Sequence, residues 1–398
     1  MVTRVKKKMK TDDALKYRMI DTLPALEKFA DVISRKKIIG VDLEADSMHH
    51  YQEKVCLVQI ADEKQCVVID PLKIGCLTPL APVFANPDIR KIFHGSDYDV
   101  RSLYRDFQIS ICNLFDTELA CRFLGIRESG LEAVLGDRFG VKLDKKFQRK
   151  DWSVRPLPEE MVAYAAADVL YLIPLAKMLQ KELDEKRRTA WVTDECLSLS
   201  RVRAPSQNNQ PMYLKFKGAG RLEPKSLAVL EALLALRDRI AAEKDRPHYK
   251  VIGNETLKKL ALLKNSDLEH LERARVLSRR QIGMYGDTIQ KTIRKARAIP
   301  ENKLPIYPHT RSEPIKPAAR KRMKVLRAWR DEKADSLQLD PSIIFSKAQI
   351  AAIAGVNPKD KAALNQVEEI KGWQDRAFGG EILQILKEQN MRVRRSSE

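Results

Sequence analysis

The pairing of two apolar, β-branched runs is the feature that most constrains this chain. VCLVQIA (55–61) and QCVVID (65–70) flank the polar tripeptide DEK and predict two strands joined by a tight turn. RKKIIGVDLEADS (35–47) holds a third apolar run, which ends in acidic residues, and RKIFH (90–94) predicts a short fourth strand. Beyond it, Val100, Leu103, Tyr104 and Phe107 recur at helical spacing. LFDTELACRFLG (114–125) predicts a short strand passing into a helix that stops at Gly125. LPEEMVAYAAADVLYLIPLAKMLQKEL (157–183) predicts a long helix with proline in its first turn and a kink at Pro174. Hairpin strands followed by alternating helices and strands predict an α/β domain, a mixed sheet with helices packed on it.

Two polar, proline-bearing stretches, 201–213 and 298–320, divide the 398 residues. They predict a first domain over 1–200 (core about 20–190), a second over 214–297, a linker over 298–320 with five prolines, and a third domain over 321–398. The last two resemble each other. Arg237-Asp238 and Arg330-Asp331 lie 93 residues apart, as do Ala241 and Ala334; in each copy a proline and an apolar pair follow, then an amphipathic helix. A duplicated, small all-helical unit is expected.

Charge separates the same parts. Residues 1–200 hold 32 Lys and Arg against 31 Asp and Glu; residues 201–398 hold 41 against 23, so nearly all of the net +19 lies in the second half. Basic surface of that size implies a polyanionic partner. The six cysteines, at 56, 66, 76, 112, 121 and 196, show no CxxC spacing, which argues against a structural zinc site and fits reduced thiols in the cytoplasm. The basic start MVTRVKKKMK lacks the apolar segment of a signal peptide, and no run of 18 apolar residues predicts a membrane span.

Three acidic clusters stand out in the first domain. Asp42 and Glu44 in GVDLEADS sit two apart on a strand, so they face the same way, and such a pair repels itself unless a cation binds; the structural alternative is a solvated strand end. HGSDYDVRSL (94–103) turns from strand to helix with Asp97 and Asp99; the structural alternative is helix capping, for which Ser96 or Asp97 is a good N-cap. Tyr164 and Asp168 in YAAADVLYL share one helix face, and the alanines between them leave room for close approach; a tyrosine in a buried hydrogen bond is the plain alternative.

Taken in order, the strand DxE, the turn aspartate and the later YxxxD resemble the DEDD exonuclease superfamily in its tyrosine-bearing branch. The flanking GVDLEADSMHHYQEKVCLVQIA, KIFHGSDYDVRSL and LDKKFQRKDWSVRPLPEEMVAYAAADVLYLIPL, with the two basic helical units, narrow the resemblance to the bacterial ribonuclease D family and its HRDC modules. It covers nearly the whole chain apart from the basic N-terminus and the proline-rich linker. It implies an RNase H-like α/β exonuclease domain followed by two all-α HRDC-like domains. By motif match, Asp42, Glu44, Asp99 and Asp168 would hold two divalent metal ions, Mg²⁺ or Mn²⁺, and Tyr164 would position the attacking water; Asp99 is preferred to Asp97 on the match alone. Substrate and water would sit on the alanine face. Lys145, Trp152, Arg155 and His94 would contact RNA, with packing the alternative for Trp152 and His94, and Asp116 would stand behind the ligands. The implied activity is 3′–5′ exoribonuclease action on tRNA precursors, releasing nucleoside 5′-phosphates, by a monomeric cytoplasmic enzyme. The competing readings are a DNA exonuclease on the same site and a catalytically inactive RNA-binding protein.

Overall fold

The computed structural model describes residues 17–204, 210–263, 275–308 and 315–395. The basic N-terminus and part of each proline-bearing stretch lie outside the described residues. The chain forms two compact units. One contains the residues up to Ala45, Val55–Ala204 and the chain from Glu313 on; the other joins Asp46–Lys54 to Pro205–Ser312.

The first unit is built on one six-stranded mixed sheet of order β1-β4-β3-β2-β5-β6. The strands are β1 Tyr17–Ile20, β2 Ile38–Ala45, β3 Val55–Ala61, β4 Cys66–Ile69, β5 Arg90–Phe93 and β6 Leu114–Asp116. Every residue of β3 and β4 is buried, so the expected hairpin is covered on both faces. β2 runs antiparallel to β3, and β5 and β6 continue the sheet in parallel beyond β2. β1 has no counterpart in the sequence reading. It is four residues long, and its partner β4 lies far downstream, with Tyr17 opposite Cys66, so no local pattern announces it.

Helices of eight or more residues are numbered here. In the sheet domain they are α1 Leu23–Ile33, α2 Asp97–Phe107, α3 Thr117–Leu124, α4 Leu131–Phe139, α5 Glu159–Leu170, α6 Leu172–Glu185 and α7 Thr189–Leu199. The long predicted helix is two, broken at Tyr171. Pro174 is the third residue of α6 and has no N–H for the Leu170 carbonyl four residues back. Glu159–Glu185 is long and apolar enough to cross a membrane by length and composition, yet α5 lies across β2, β3 and β4 as a core helix. Ala165 and Ala166 are fully buried. Gly40 of β2 completes the fit, because a Cβ there would stand 3.2 Å from the Val169 carbonyl oxygen. Two of the three alanines expected to admit substrate, Ala165 and Ala166, therefore admit the sheet instead, while Ala167 is half-buried.

The second helical copy, with α11 Pro317–Leu337, α12 Lys347–Val356 and α13 Gly372–Arg395, begins at Pro317, inside the stretch expected to be linker. Its core is continuous with that of the sheet domain. Trp373 is buried, stacks on Trp191 at 4.9 Å and meets the edge of Phe123. Its indole N–H donates to Glu195 Oε1 at 2.8 Å, and the Arg188 guanidinium bridges the Phe123 and Leu337 carbonyls. Gly125 ends α3 with φ +85°, and a Cβ there would lie 2.2 Å from the Gln338 carbonyl oxygen.

In the other unit α8 Pro224–Glu243 packs on α9 Asn254–Leu262 and α10 Arg279–Arg297. The segment Asp46–Lys54 is held there by Tyr51, whose hydroxyl donates to Asp238 at 2.9 Å and whose N–H donates to Asp245 at 3.0 Å. Tyr307, from the proline-rich stretch, packs on Tyr213.

Gly125→Ala is expected to cost about 1–3 kcal/mol for the left-handed backbone alone, plus the cost of displacing the Gln338 carbonyl. Gly140→Ala has φ +69° but meets open space. Urea unfolding should therefore show the Gly125 variant as clearly the less stable of the two; equal midpoints would contradict the contact.

Candidate active site

The site assembles where β2 passes under α5. Residues two apart on a strand share a face, so Asp42 and Glu44 both project toward the helix. Asp168 descends from α5, and carboxylate oxygens of Asp42, Glu44 and Asp168 lie within 4.8 Å of one another. Tyr164, one turn before Asp168, shares its face.

The structure separates the two turn aspartates that the local sequence could not. Asp97 and Asp99 start α2 two residues apart, on opposite sides of a helix with 3.6 residues per turn. Asp97 is 59% exposed and accepts from Arg101 Nε and Nη2 at 2.8 and 3.0 Å, a surface i,i+4 pair. Asp99 is buried, and after burial itself Asp42 is the charge that affects it most, although Asp99 is not one of the three acids gathered within 4.8 Å. Ser96 precedes the helix without a side-chain cap bond; its hydroxyl donates instead to Asp116. The Asp116 carboxylate collects five donors: the backbone N–H groups of Gly95, Ser96, Glu118 and Leu119 and the Ser96 hydroxyl, at 2.7–3.1 Å. It thereby ties the β5–α2 turn to the start of α3 and fixes where Asp99 enters.

Burial shapes the electrostatics. Desolvation raises Asp42 to about 7, and desolvation together with Asp42 raises Asp168 to about 8. Glu44 is pushed well above the usual carboxylate range by burial and by Asp42, Asp168 and Asp99; Asp99 is pushed up by burial, Asp42 and Asp116. The Tyr164 phenol is raised by burial and by Asp168, so it holds its proton. No Lys or Arg ion pair reaches these four acids among the described residues. Half-buried, acceptor-only oxygens that repel one another and lack a cationic partner fit hard divalent ions.

The cluster opens on a cleft of about 450 Å³, whose far wall carries His94, Gly95, Glu118, Glu132 and Lys145. Glu118 went unnamed in the sequence reading; its approach, with φ +73°, explains Gly95, where a Cβ would meet Glu118 Oε2 at 2.8 Å. Lys145 is 66% exposed and pairs with Glu132 at 2.6 Å. His94 Nδ1 bonds Thr117 Oγ1 at 2.9 Å, and the ring lines the cleft. Two expected RNA contacts are corrected. Trp152 is fully buried and cannot stack on a base; its ring backs Tyr164 at 6.0 Å, while Phe147 meets Tyr164 edge-on at 5.8 Å. Arg155 grips buried Asp70 through two bonds, at 2.7 and 2.8 Å, and donates to the carbonyls of Trp152, Val154 and Cys56. Its donors are committed inside the fold.

Residues 17–184 match the 3′-5′ exonuclease family, and residues 226–293 and 319–386 each match the HRDC domain. The ribonuclease D of Serratia proteamaculans is 28% identical over 379 residues, covering 94% of this chain and all of that protein. That of Acidiphilium cryptum is 29% identical over 92% of both chains. The chain belongs to the ribonuclease D family. The crystal structure of Escherichia coli RNase D, described as an exoribonuclease involved in structured RNA processing, superimposes with TM-score 0.71 at 27% identity, over 94% of this chain and 99% of that one. The catalytic core of RRP6 from Trypanosoma brucei matches with TM-score 0.62 at 30% identity, over 74% and 83%. As a ribonuclease D, the chain is a 3′–5′ exoribonuclease with a mixed α/β exonuclease domain followed by HRDC domains, and the acidic cluster suits this divalent-metal-dependent class.

Two outcomes follow from this ribonuclease D site. Arg155→Ala leaves the Asp70 carboxylate buried without its cation, so chemical unfolding should show a loss of about 3–5 kcal/mol, while the RNA affinity of the folded variant stays at the wild-type value; a weakened affinity would return Arg155 to the RNA-binding surface. The second concerns pH. Asp42 and Asp168 titrate near 3.9 when unfolded but near 7 and 8 when folded. Between about pH 4 and 8 the folded state thus binds more protons, and metal-free stability falls as pH rises. In chelator, Tm should drop from pH 5 to pH 8; Mg²⁺ or Mn²⁺ should raise it more at pH 8; and Asp42→Asn should flatten the profile. A flat wild-type profile would refute the clustering.

Proposed function

We propose that this chain shortens the 3′ extensions of tRNA precursors, using two divalent ions, Mg²⁺ or Mn²⁺, held by Asp42, Glu44, Asp99 and Asp168. The observation that carries the reading is the gathering of Asp42, Glu44 and Asp168 within 4.8 Å of one another beside the cleft that Asp42, Asp168 and Tyr164 line; Asp99, buried and subject to the charge of Asp42, is the fourth acid of the reading. Bound there, the ions supply Lewis-acid activation of water and neutralise the charge that develops at the departing 3′ oxygen. The chain's own residues do the rest. Tyr164 keeps its proton at neutral pH and so orients the attacking water by hydrogen bonding rather than acting as a base. Trp152 and Phe147 hold its ring, so the hydroxyl is preorganised. Lys145, on the rim, contacts a phosphate of the bound strand, and His94 supports the same wall. The basic half of the chain grips RNA through its backbone.

The tRNA substrate is supported by the E. coli relative's description as a processor of structured RNA. A monomer suffices, since one chain supplies every acid of the cluster. A cytoplasmic location suits four cysteines buried as free thiols.

The test is a 5′-labelled tRNA bearing a short 3′ extension, incubated with Mg²⁺, Mn²⁺ or EDTA. Stepwise shortening from the 3′ end is expected with metal and not with EDTA. Asp42→Ala should abolish it, Tyr164→Phe should cut kcat about 10- to 100-fold with little change in KM, and Asp97→Asn should behave as wild type. RNA left intact by wild-type protein that still binds it would sink the enzymatic reading.

A further inference from the structure

The two HRDC copies share one register. Their family matches begin and end 93 residues apart, at 226 and 319 and at 293 and 386, and α8 and α11 begin with the same offset. Each position in one copy therefore has a counterpart in the other, and one end of the module can be compared residue by residue.

In the second copy that end is a protein-docking face. Leu337, Leu339, Ile343 and Trp373 belong to the core shared with the sheet domain or pack against it, and Lys371 and Arg376 add ion pairs to Glu195 and Asp194 at 2.5 and 2.6 Å. The counterparts in the first copy, at 244, 246, 250 and 280, are Lys244, Arg246, Lys250 and Arg280. Every apolar anchor is replaced by a cation, and all four cations are exposed. They ring a concavity of about 570 Å³ at the junction of α8 and α10. Among the described residues none of the four has a carboxylate partner; Lys244 lies over the Tyr285 ring at 4.8 Å.

The charge continues along the same stripe of α10. Lys291 and Lys295, with Thr288 and Thr292, line a second concavity beside Arg239 of α8. Their counterparts in the second copy, at 384, 388 and 332, are Gln384, Glu388 and Glu332. From Arg280 to Lys295 the stripe runs about 22 Å, at 1.5 Å per residue. The linings of the two concavities hold cations and hydroxyls and no carboxylate, although Arg239 pairs with Glu243 at 3.8 Å and Asp287 stands between Arg280 and Lys291 on α10; such a track of cations matches a phosphodiester backbone, which presents regularly spaced single negative charges.

We infer that the duplicated module has divided its labour: the α8–α10 groove of the first copy, entered at Lys244, Arg246, Lys250 and Arg280, is the RNA-backbone site of the chain, while the same face of the second copy is used up in docking and binds no RNA. The inference rests on the exoribonuclease reading for its ligand, and it makes the groove a site of affinity without base selectivity.

The experiment compares three full-length proteins: wild type, the groove variant Lys244→Ala/Arg246→Ala/Lys250→Ala/Arg280→Ala, and a control with the same loss of charge in the second copy, Lys321→Ala/Lys324→Ala/Arg327→Ala/Lys387→Ala. Binding to a structured RNA with a single-stranded 3′ end is measured in EDTA across a salt series. Each phosphate contact contributes about 0.7–0.9 to the slope of log K against log salt, so the groove variant should lose about 3 from that slope and at least tenfold in affinity at low salt, with the control near wild type. Its kcat/KM on a trinucleotide, which leaves no backbone over for a second site, should be unchanged. Equal losses in the groove variant and the control would reduce the effect to net charge and overturn the proposal. So would an unchanged slope, including the case in which the variant loses binding to polyglutamate and keeps RNA, which would make the groove a seat for an acidic protein. The binding arm needs no hydrolysis, so a wild-type protein that fails to cut RNA would count against the exonuclease reading while the slopes still decide the groove.

Discussion

The close approach of α5 to β2 is the constraint on which the rest of the sheet domain depends. Glycine at 40 and alanines at 165 and 166 let the helix backbone settle onto the strand. At that distance the side chains at 164 and 168 reach down to those at 42 and 44. A side chain at Gly40 would press on the Val169 carbonyl oxygen, 3.2 Å from where its Cβ would stand, and so on the helix that carries Asp168. The cost is electrostatic. Acids gathered in a half-buried pocket repel one another, and burial favours their protonated forms. That stored repulsion suits the site to divalent cations.

Around this contact the other site elements act through backbone placement. Asp116 touches no other acid of the cluster through a hydrogen bond, yet it gathers the N–H groups of two chain segments and so determines where α2 starts. Since α2 starts there, Asp99 is turned inward and Asp97 outward to Arg101. Trp152 and Arg155 act in the same indirect way. One backs the ring of Tyr164, and the other ties the preceding loop to the buried Asp70.

The helical copies show how one fold can be put to two uses by exchanging surface chemistry. Both bury the same kind of core, with Leu233 and Ala241 in one and their counterparts Leu326 and Ala334 in the other. They differ at the end that meets other surfaces. Trp373 and its apolar neighbours attach the second copy to the sheet domain, and Glu195 satisfies the indole N–H that this burial would otherwise strand. The first copy carries lysine and arginine at the matching places and leaves them in water.

Much of this was legible in the residues alone. The hairpin, β2, β5, α2 and the strand-to-helix passage ending at Gly125 follow from periodicity and turn chemistry, which are local. The order of Asp42, Glu44, the turn aspartates, Tyr164 and Asp168 could be read too, because strand and helix periods place each pair on one face. Tertiary structure alone decided what depends on distant partners. It paired β1 with β4, turned Asp99 rather than Asp97 inward, and merged the second helical copy with the sheet domain. It withdrew Trp152 and Arg155 from the solvent, although an aromatic and a cation beside a catalytic motif suggest a nucleic-acid surface. Sequence determines which groups are present and at what spacing along one element; whether a group faces water, a neighbour or the cleft is decided by packing between elements, where a few ångströms of approach change the outcome.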